Sequence, residues 1–413
     1  MHDASVTAAA NRARQGSAAD LAAALTDSRR DTLATFEVFR QALPDLQVPH
    51  RAELNPPLWE LGHIGWFQAW WLQRHAGRMQ GHRADPDAPR MPAARPDADA
   101  LYNSSRVPHA SRWSLPLPDA EATCAELAGQ LQATLALLAE VDDGGPQRHD
   151  ALYFFRLALL HEDMHHEAAL YMAQGLGVAI TDARWQGAAL PEPPAALALE
   201  AGRWRLGSNV EAGFAFDNEL GAHTVAVPAT RMDAQAVRWA EYLPFVEARG
   251  YADPQWWSDA GRRWLAQSSP AAPRYLRSTG RTGSAWQQWR HGQWQALDPR
   301  QAACHLTHHE AEAWCRWAGR RLPGEAEWER AAIGHPGSFR WGDVWEWTAS
   351  GFAPYPGFTP HPYRDYSAPW FDGRPVLRGA SFMTQPRLRH PRYRNYFLPE
   401  RNDVPAGFRS CAV

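Results

Sequence analysis

Cysteine is scarce in this chain. Cys124, Cys304, Cys315 and Cys411 are scattered through 413 residues, too few and too dispersed for a disulfide scaffold. No apolar run reaches the roughly 18 residues of a membrane span. Basic residues form no tract, and 42 of them against 45 acidic residues leave a net charge of -3. That balance argues against a nucleic-acid or anionic-membrane partner. Residues 1–15 lack the apolar centre of a secretory signal, and no internal repeat is visible. These absences leave a reducing cytoplasm as the simplest home.

Hydrophobic residues make up 45% of the chain and charged residues 21%, enough burial to offset the entropy of folding. The length exceeds what one ordinary core holds, so two units are expected. Ser17 can cap a helix bearing Leu21, Leu25, Leu33, Phe36 and Leu43. Pro56-Pro57 opens a second helix, Leu58 to about His75. A proline-rich stretch then cannot be a continuous helix; Asp119 begins a third, where Leu127, Leu131, Leu135 and Leu138 share one face, stopped by Gly144-Gly145-Pro146. A fourth runs from about Arg148 to Gln174. Four such helices with one long crossover predict a bundle over 1–177. Residues 178–200, with Pro191, Pro193 and Pro194, read as a linker. Residues 201–413 read as a mixed, loop-rich unit with helices near 236–249, 309–318 and 324–332. The fold class is therefore α+β.

The fourth helix carries His161-Glu162-Asp163-Met164-His165. Positions i and i+4 lie about 40° apart around a helix, so both imidazoles leave one face and can share a metal. His63, on the second helix, can face them across a bundle core. From spacing alone two readings stand: a metal triad of His63, His161 and His165, or structural histidines in a chain that has 18 of them. The same five residues match H-E-x-x-H, in which Glu162 would be the base of a zinc hydrolase. Glu167-Ala168-Ala169-Leu170-Tyr171 follows in place of a metzincin continuation. His75 and His166 are expected on wetter faces.

The second half carries Gly319-Arg320-Arg321-Leu322-Pro323-Gly324-Glu325-Ala326-Glu327-Trp328-Glu329-Arg330, Gly342-Asp343-Val344-Trp345-Glu346-Trp347, Val376-Leu377-Arg378-Gly379 and Gly407-Phe408-Arg409. These strings resemble the formylglycine-generating-enzyme-like domain, a variant of the C-type lectin fold, over roughly 200–413. Leu61-Gly62-His63 and His161-x-x-x-His165-x-Glu167 resemble the iron-binding version of the DinB-like bundle. The pairing resembles the ergothioneine-type sulfoxide synthases. That resemblance implies Fe(II) on His63, His161 and His165, with O2 driving attachment of a donor's chalcogen to C2 of the hercynine imidazole. The copper-dependent formylglycine enzyme is a poorer likeness, because only Cys411 lies beyond Cys315; Cys304 and Cys315 read as small buried residues. Trp317, Trp328, Trp345 and Trp347 read as core.

The resemblance also assigns roles. Tyr363 and Tyr366 match a Tyr-x-x-Tyr segment, and one phenol, Tyr363 first, would donate a proton or hydrogen. Asn395 would orient hercynine. Family members that use gamma-glutamylcysteine have Arg-Asn-Trp-Asp where this chain has Arg394-Asn395-Tyr396-Phe397. The cysteine-using branch has Asn-Ser-Tyr-Tyr where this chain has Asn103-Ser104-Ser105-Arg106, and the family's Gln before the last histidine is Met164. Arg106 and Arg112 could still hold a carboxylate. Loss of the clamp carboxylate, with Tyr396, Phe397, Trp370 and Phe371 as aromatic surface, implies the selenoneine-forming branch. There a selenosugar is the donor and a C–Se bond forms. A C–S bond from a thiol donor is the alternative, and a zinc hydrolase the more distant one.

Overall fold

The computed structural model describes residues 4–145, 147–280 and 285–413. Pro146 of the expected helix stop and residues 1–3 of the polar start lie outside them. The first half is helical: α1 (Ala4–Gln15), α2 (Ala18–Ala42), α3 (Pro57–Gln68), α4 (Ala120–Ala139) and α5 (Tyr153–Leu176). Ser17 caps α2, its hydroxyl accepting from the Asp20 amide while Asp20 accepts from the Ser17 amide. Asp119 caps α4 in the same sense. Helix α5 closes on Gly177, whose φ of 74° is the left-handed conformation that glycine adopts without steric cost. Helix α2 packs on α5 and α4, and α3 on α4 and α5. The second helix does not run unbroken to His75, because it widens into a π-helical turn over Ala69–Gln73. Helix α1, not anticipated as a separate element, packs on the turn Pro386–Leu388 of the second half.

The second half is mixed. Strands β1 (Leu197–Leu199), β4 (Thr230–Met232), β13 (Cys411–Ala412) and β8 (Arg320–Arg321) form one sheet in the order β1-β4-β13-β8. A second has the order β11-β10-β9-β12, from β9 (Trp345–Gly351), β10 (Pro375–Arg378), β11 (Asn395–Tyr396) and β12 (Ala406–Gly407). The pair β2 (Gly202–Leu206) and β3 (His223–Val227), and the meander β5 (Leu276–Ser278), β6 (Trp286–Arg290), β7 (Gln293–Ala296), complete the strands among the described residues. Helices α6 (Trp239–Glu247), α7 (Asp259–Ser268), α8 (His308–Trp317) and α9 (Glu325–Gly334) pack around them. The stretch read as a linker is not all connection. Its residues 197–199 are β1, in antiparallel register with Met232 to Thr230, and Trp185 and Leu190 are buried.

Trp328, Trp345 and Trp347 are core residues. Trp347 donates its indole N–H to Leu306 O at 2.8 Å, meeting the demand of a buried indole; Trp317 is only half-buried. Cys304, Cys315 and Cys411 are buried and unpaired. The halves are joined by charge as well as packing. Arg14 of α1 pairs with Glu219 at 2.7 Å, and Asp163 of α5 with Arg387 at 2.8 Å. These pairs are buried, so removing either partner leaves an uncompensated charge.

Candidate metal centre and cavity

His63, His161 and His165 each offer a ligand nitrogen, and these atoms lie within 4.8 Å of one another. Each ring is fixed from behind. His63 Nδ1 donates to Tyr102 O at 2.8 Å, which leaves Nε2 with its lone pair free for an ion. Tyr102 reaches that position because residue 62 is glycine: a Cβ there would lie 2.3 Å from the Tyr102 ring. The Trp59 indole stacks on the other side of His63, with centroids 4.9 Å apart. His161 lies flat on Phe67 at 3.5 Å. His165 Nδ1 lies 2.5 Å from Glu60 Oε2, and its Nε2 is 3.2 Å from His161 Nε2. Two imidazole nitrogens on one first-row ion, at about 2.1 Å each, lie roughly 3 Å apart. Burial lowers the His63 pKa to about 3 and that of His161 well below its ordinary value. Both rings are therefore neutral, the form that ligates. The donor set fits a borderline divalent cation.

Glu60 is the support that sequence reasoning missed. Burial opposes its charge, but His165, by charge and hydrogen bond, together with His63 and Arg112, holds the carboxyl below its usual range. Its Oε1 accepts from Asn55 Nδ2 at 2.5 Å, and Asn55 Oδ1 accepts from Arg112 at 2.8 Å. The Arg112 guanidinium also lies 3.8 Å over Trp59, so it braces the site from outside. The available signal was the spacing of Glu60 and His63, three residues apart on one helix. Glu162 is differently placed. It is buried in a pair with Arg29 Nε at 2.8 Å and Nη2 at 3.1 Å, on the α2 side of its helix, so it does not serve as the base of a zinc hydrolase. His166 and His75 are each 1% exposed, not on wetter faces. His166 contacts Thr35 Oγ1 at 3.0 Å, and His75 packs on Trp71 and Phe154.

Beside the triad a cavity of about 270 Å3 opens between α5 and the second half, lined by Met164, His165, Tyr366, Asn395, Tyr396 and Phe397 among others. Tyr393, not singled out from the sequence, and Trp345, read there as core, also line it. Tyr366 Oη donates to Tyr393 Oη at 3.0 Å, and Tyr393 Oη donates to Met164 Sδ at 3.3 Å. Trp345 Nε1 donates to Glu167 Oε1 at 2.7 Å, and Ser381 and Thr384 donate to the same oxygen at 2.9 and 2.7 Å. Thus Glu167 ties α5 to the far wall. Tyr363 lies against Phe67 at 4.9 Å and 6.1 Å from the His161 ring. Burial raises the pKa values of both Tyr363 and Tyr366, so each keeps its proton.

Three expected substrate residues are not cavity-lining. Arg106 is exposed on its loop. Trp370 is 40% exposed, its N–H donated to Asp365 O and its face covered by Arg374. Phe371 is taken up by Phe352 and Phe358, at 4.7 and 5.0 Å.

A histidine cluster that could hold a metal ion, set on a helical bundle and facing an aromatic cavity walled by a second unit, has the architecture of a metal-dependent enzyme. Residues 183–343 match the Sulfatase-modifying factor enzyme 1-like domain. A "Hercynine oxygenase" of Mycolicibacterium smegmatis is 31% identical over 454 aligned positions, covering 94% of this chain and 97% of the relative. A "Hercynine oxygenase" of Mycobacterium tuberculosis is 30% identical, covering 86% and 90%. A "Formylglycine-generating enzyme" of Streptomyces coelicolor is 32% identical over 158 positions, covering 35% and 49%. The chain belongs to the hercynine oxygenase family, the ergothioneine-type sulfoxide synthases. Among the described residues no helix is long and apolar enough to cross a membrane.

Proposed function

We propose that this enzyme uses Fe(II) and O2 to join a sulfur donor to C2 of the hercynine imidazole. The observation that carries the reading is the three-imidazole cluster, with His63 and His161 buried and neutral and His165 opening on a cavity, and the names of the full-length relatives supply the substrate and the oxidant class. His63, His161 and His165 would hold the iron, which supplies oxygen activation when bound. The remaining work falls to the chain. Tyr366, Tyr393, Tyr396 and Trp345 offer π faces to a quaternary ammonium such as that of hercynine. Asn395 offers the amide that would orient its carboxylate or ring. Tyr363, a neutral phenol beside His161, would hold the proton delivered to the reacting centre. Tyr366 already donates its proton to Tyr393, so Tyr363 is the better donor of the two. The cytoplasm suits the unpaired cysteines.

A second reading, a selenosugar donor and a C–Se bond, is favoured by one specific observation. No lysine or arginine stands among the described residues lining the cavity, and Phe397 is part of its wall. Such a wall suits a donor without carboxylates better than a dicarboxylated peptide. Mass spectrometry of the product from Fe(II), O2, hercynine and competing donors tests both. A sulfur-bearing hercynine upholds the first reading, a selenium-bearing one the second, and no hercynine adduct refutes both.

A further inference from the structure

A second set of metal-ligating side chains stands at the start of α8, in the other half of the chain. His308, His309 and Glu312 place one ligand atom each within 4.8 Å of one another. None of them belongs to the histidine triad or its cavity.

The geometry has the marks of a supported site. His308 Nε2 donates to Thr348 O at 3.1 Å, which leaves the Nδ1 lone pair free. That nitrogen is 3.8 Å from Glu312 Oε2, too long for a hydrogen bond. Two ligands of one tetrahedral ion, each about 2.1 Å from it, lie roughly 3.4 Å apart, so a small adjustment brings both onto one cation. Glu312 Oε2 accepts in turn from Ser258 Oγ at 3.2 Å. A ring N–H given to a backbone carbonyl and a carboxylate steadied by a hydroxyl are the outer contacts that orient metal ligands. His309 is 7% exposed, and its Nδ1 is buried without a hydrogen-bond partner among the described residues. A buried imidazole with an unmet nitrogen calls for a reason. Glu312 remains about a third exposed, so an ion can enter.

We infer that His308, His309 and Glu312 form a second site for a borderline divalent cation of the zinc type, separate from the catalytic centre. Two imidazoles and one carboxylate suit zinc, whereas calcium and magnesium take oxygen sets. The fourth position is open to water.

Zinc titration of the full chain against a chromophoric chelator tests this. Glu312→Gln keeps size and helix propensity while removing the charge, and should cost one equivalent of zinc, or weaken it at least about tenfold. His308→Gln should do the same, and calcium should not compete. His161→Ala must keep this equivalent whatever it loses at the triad, so failure of the triad as a metal site would read separately. Zinc held with unchanged stoichiometry and affinity by both Glu312→Gln and His308→Gln overturns the site. Oxygenase turnover should be the same in both variants.

Discussion

His165 and Glu60 share a single short contact: the imidazole Nδ1 lies 2.5 Å from the carboxylate Oε2 across the α3–α5 interface. With Nδ1 so engaged, Nε2 is turned toward His161, and the ring has one tautomer to offer an ion. A carboxylate behind a ligating histidine raises its basicity and fixes its aim. Glu60→Gln should therefore lower metal affinity about 10- to 100-fold without unfolding the chain. His63→Ala or His161→Ala should remove most of the metal and all oxygen-dependent turnover. Metal content after dialysis, measured beside far-UV circular dichroism, checks both; full activity in His63→Ala would sink the triad.

Glu162 gives a contrasting prediction. It is 2% exposed and paired with Arg29, which is equally buried. Breaking such a pair from one side costs about 3–5 kcal/mol. Glu162→Ala should shift the urea midpoint strongly, yet its folded fraction should still take up metal at the triad. Were Glu162 a hydrolytic base, the change would instead spare stability and abolish chemistry.

Much of this was legible in advance, and the exceptions have physical causes. The helix starts at Ser17 and Asp119 follow from local capping, so the sequence states them directly. The pair His161 and His165 follows from helical period. Tyr393 and Glu60 were not visible because their meaning depends on what packs opposite: Met164 for one, His165 for the other. Trp370 and Phe371 misled for the same reason, since aromatic character says nothing of which wall a ring joins. His166 looked polar and solvent-facing, but α5 is buried nearly all round by α2 and by the second half of the chain, which period alone does not reveal.

The two halves are also linked by a pH-sensitive contact. Tyr153 Oη of α5 and His361 Nδ1 share a hydrogen bond at 2.9 Å, and burial lowers the His361 pKa to about 3, with His82 adding to the effect. The folded chain thus resists a proton that the unfolded chain accepts near pH 6.5. The stabilisation is complete above pH 6.5 and is lost as the pH falls toward about 3. From this group alone the loss is about 2 kcal/mol at pH 5. His361→Gln should flatten the dependence of the urea midpoint on pH between 6.5 and 5. An unchanged slope would show that His361 does not carry it.

The donor prediction turns on Phe397. Its ring lies in the cavity wall with the Arg401 guanidinium 4.9 Å over it, and that guanidinium is occupied by Asp403 at 2.6 Å. A peptide donor with two carboxylates would bring at least one charge against aromatic surface with no free cation beside it among the lining residues. An unpaired charged group of this kind costs about 1–3 kcal/mol or more, which is roughly tenfold to a hundredfold in affinity. On the selenosugar reading, equal selenosugar and gamma-glutamylcysteine with hercynine, Fe(II) and O2 should give a selenium product that leads by about that factor. Phe397→Arg should erode the lead, because a cation in the wall can pair with a donor carboxylate. A dominant sulfur product in the unaltered enzyme, unmoved by Phe397→Arg, would mean that the aromatic wall does not select the donor. The thiol reading would then stand by itself.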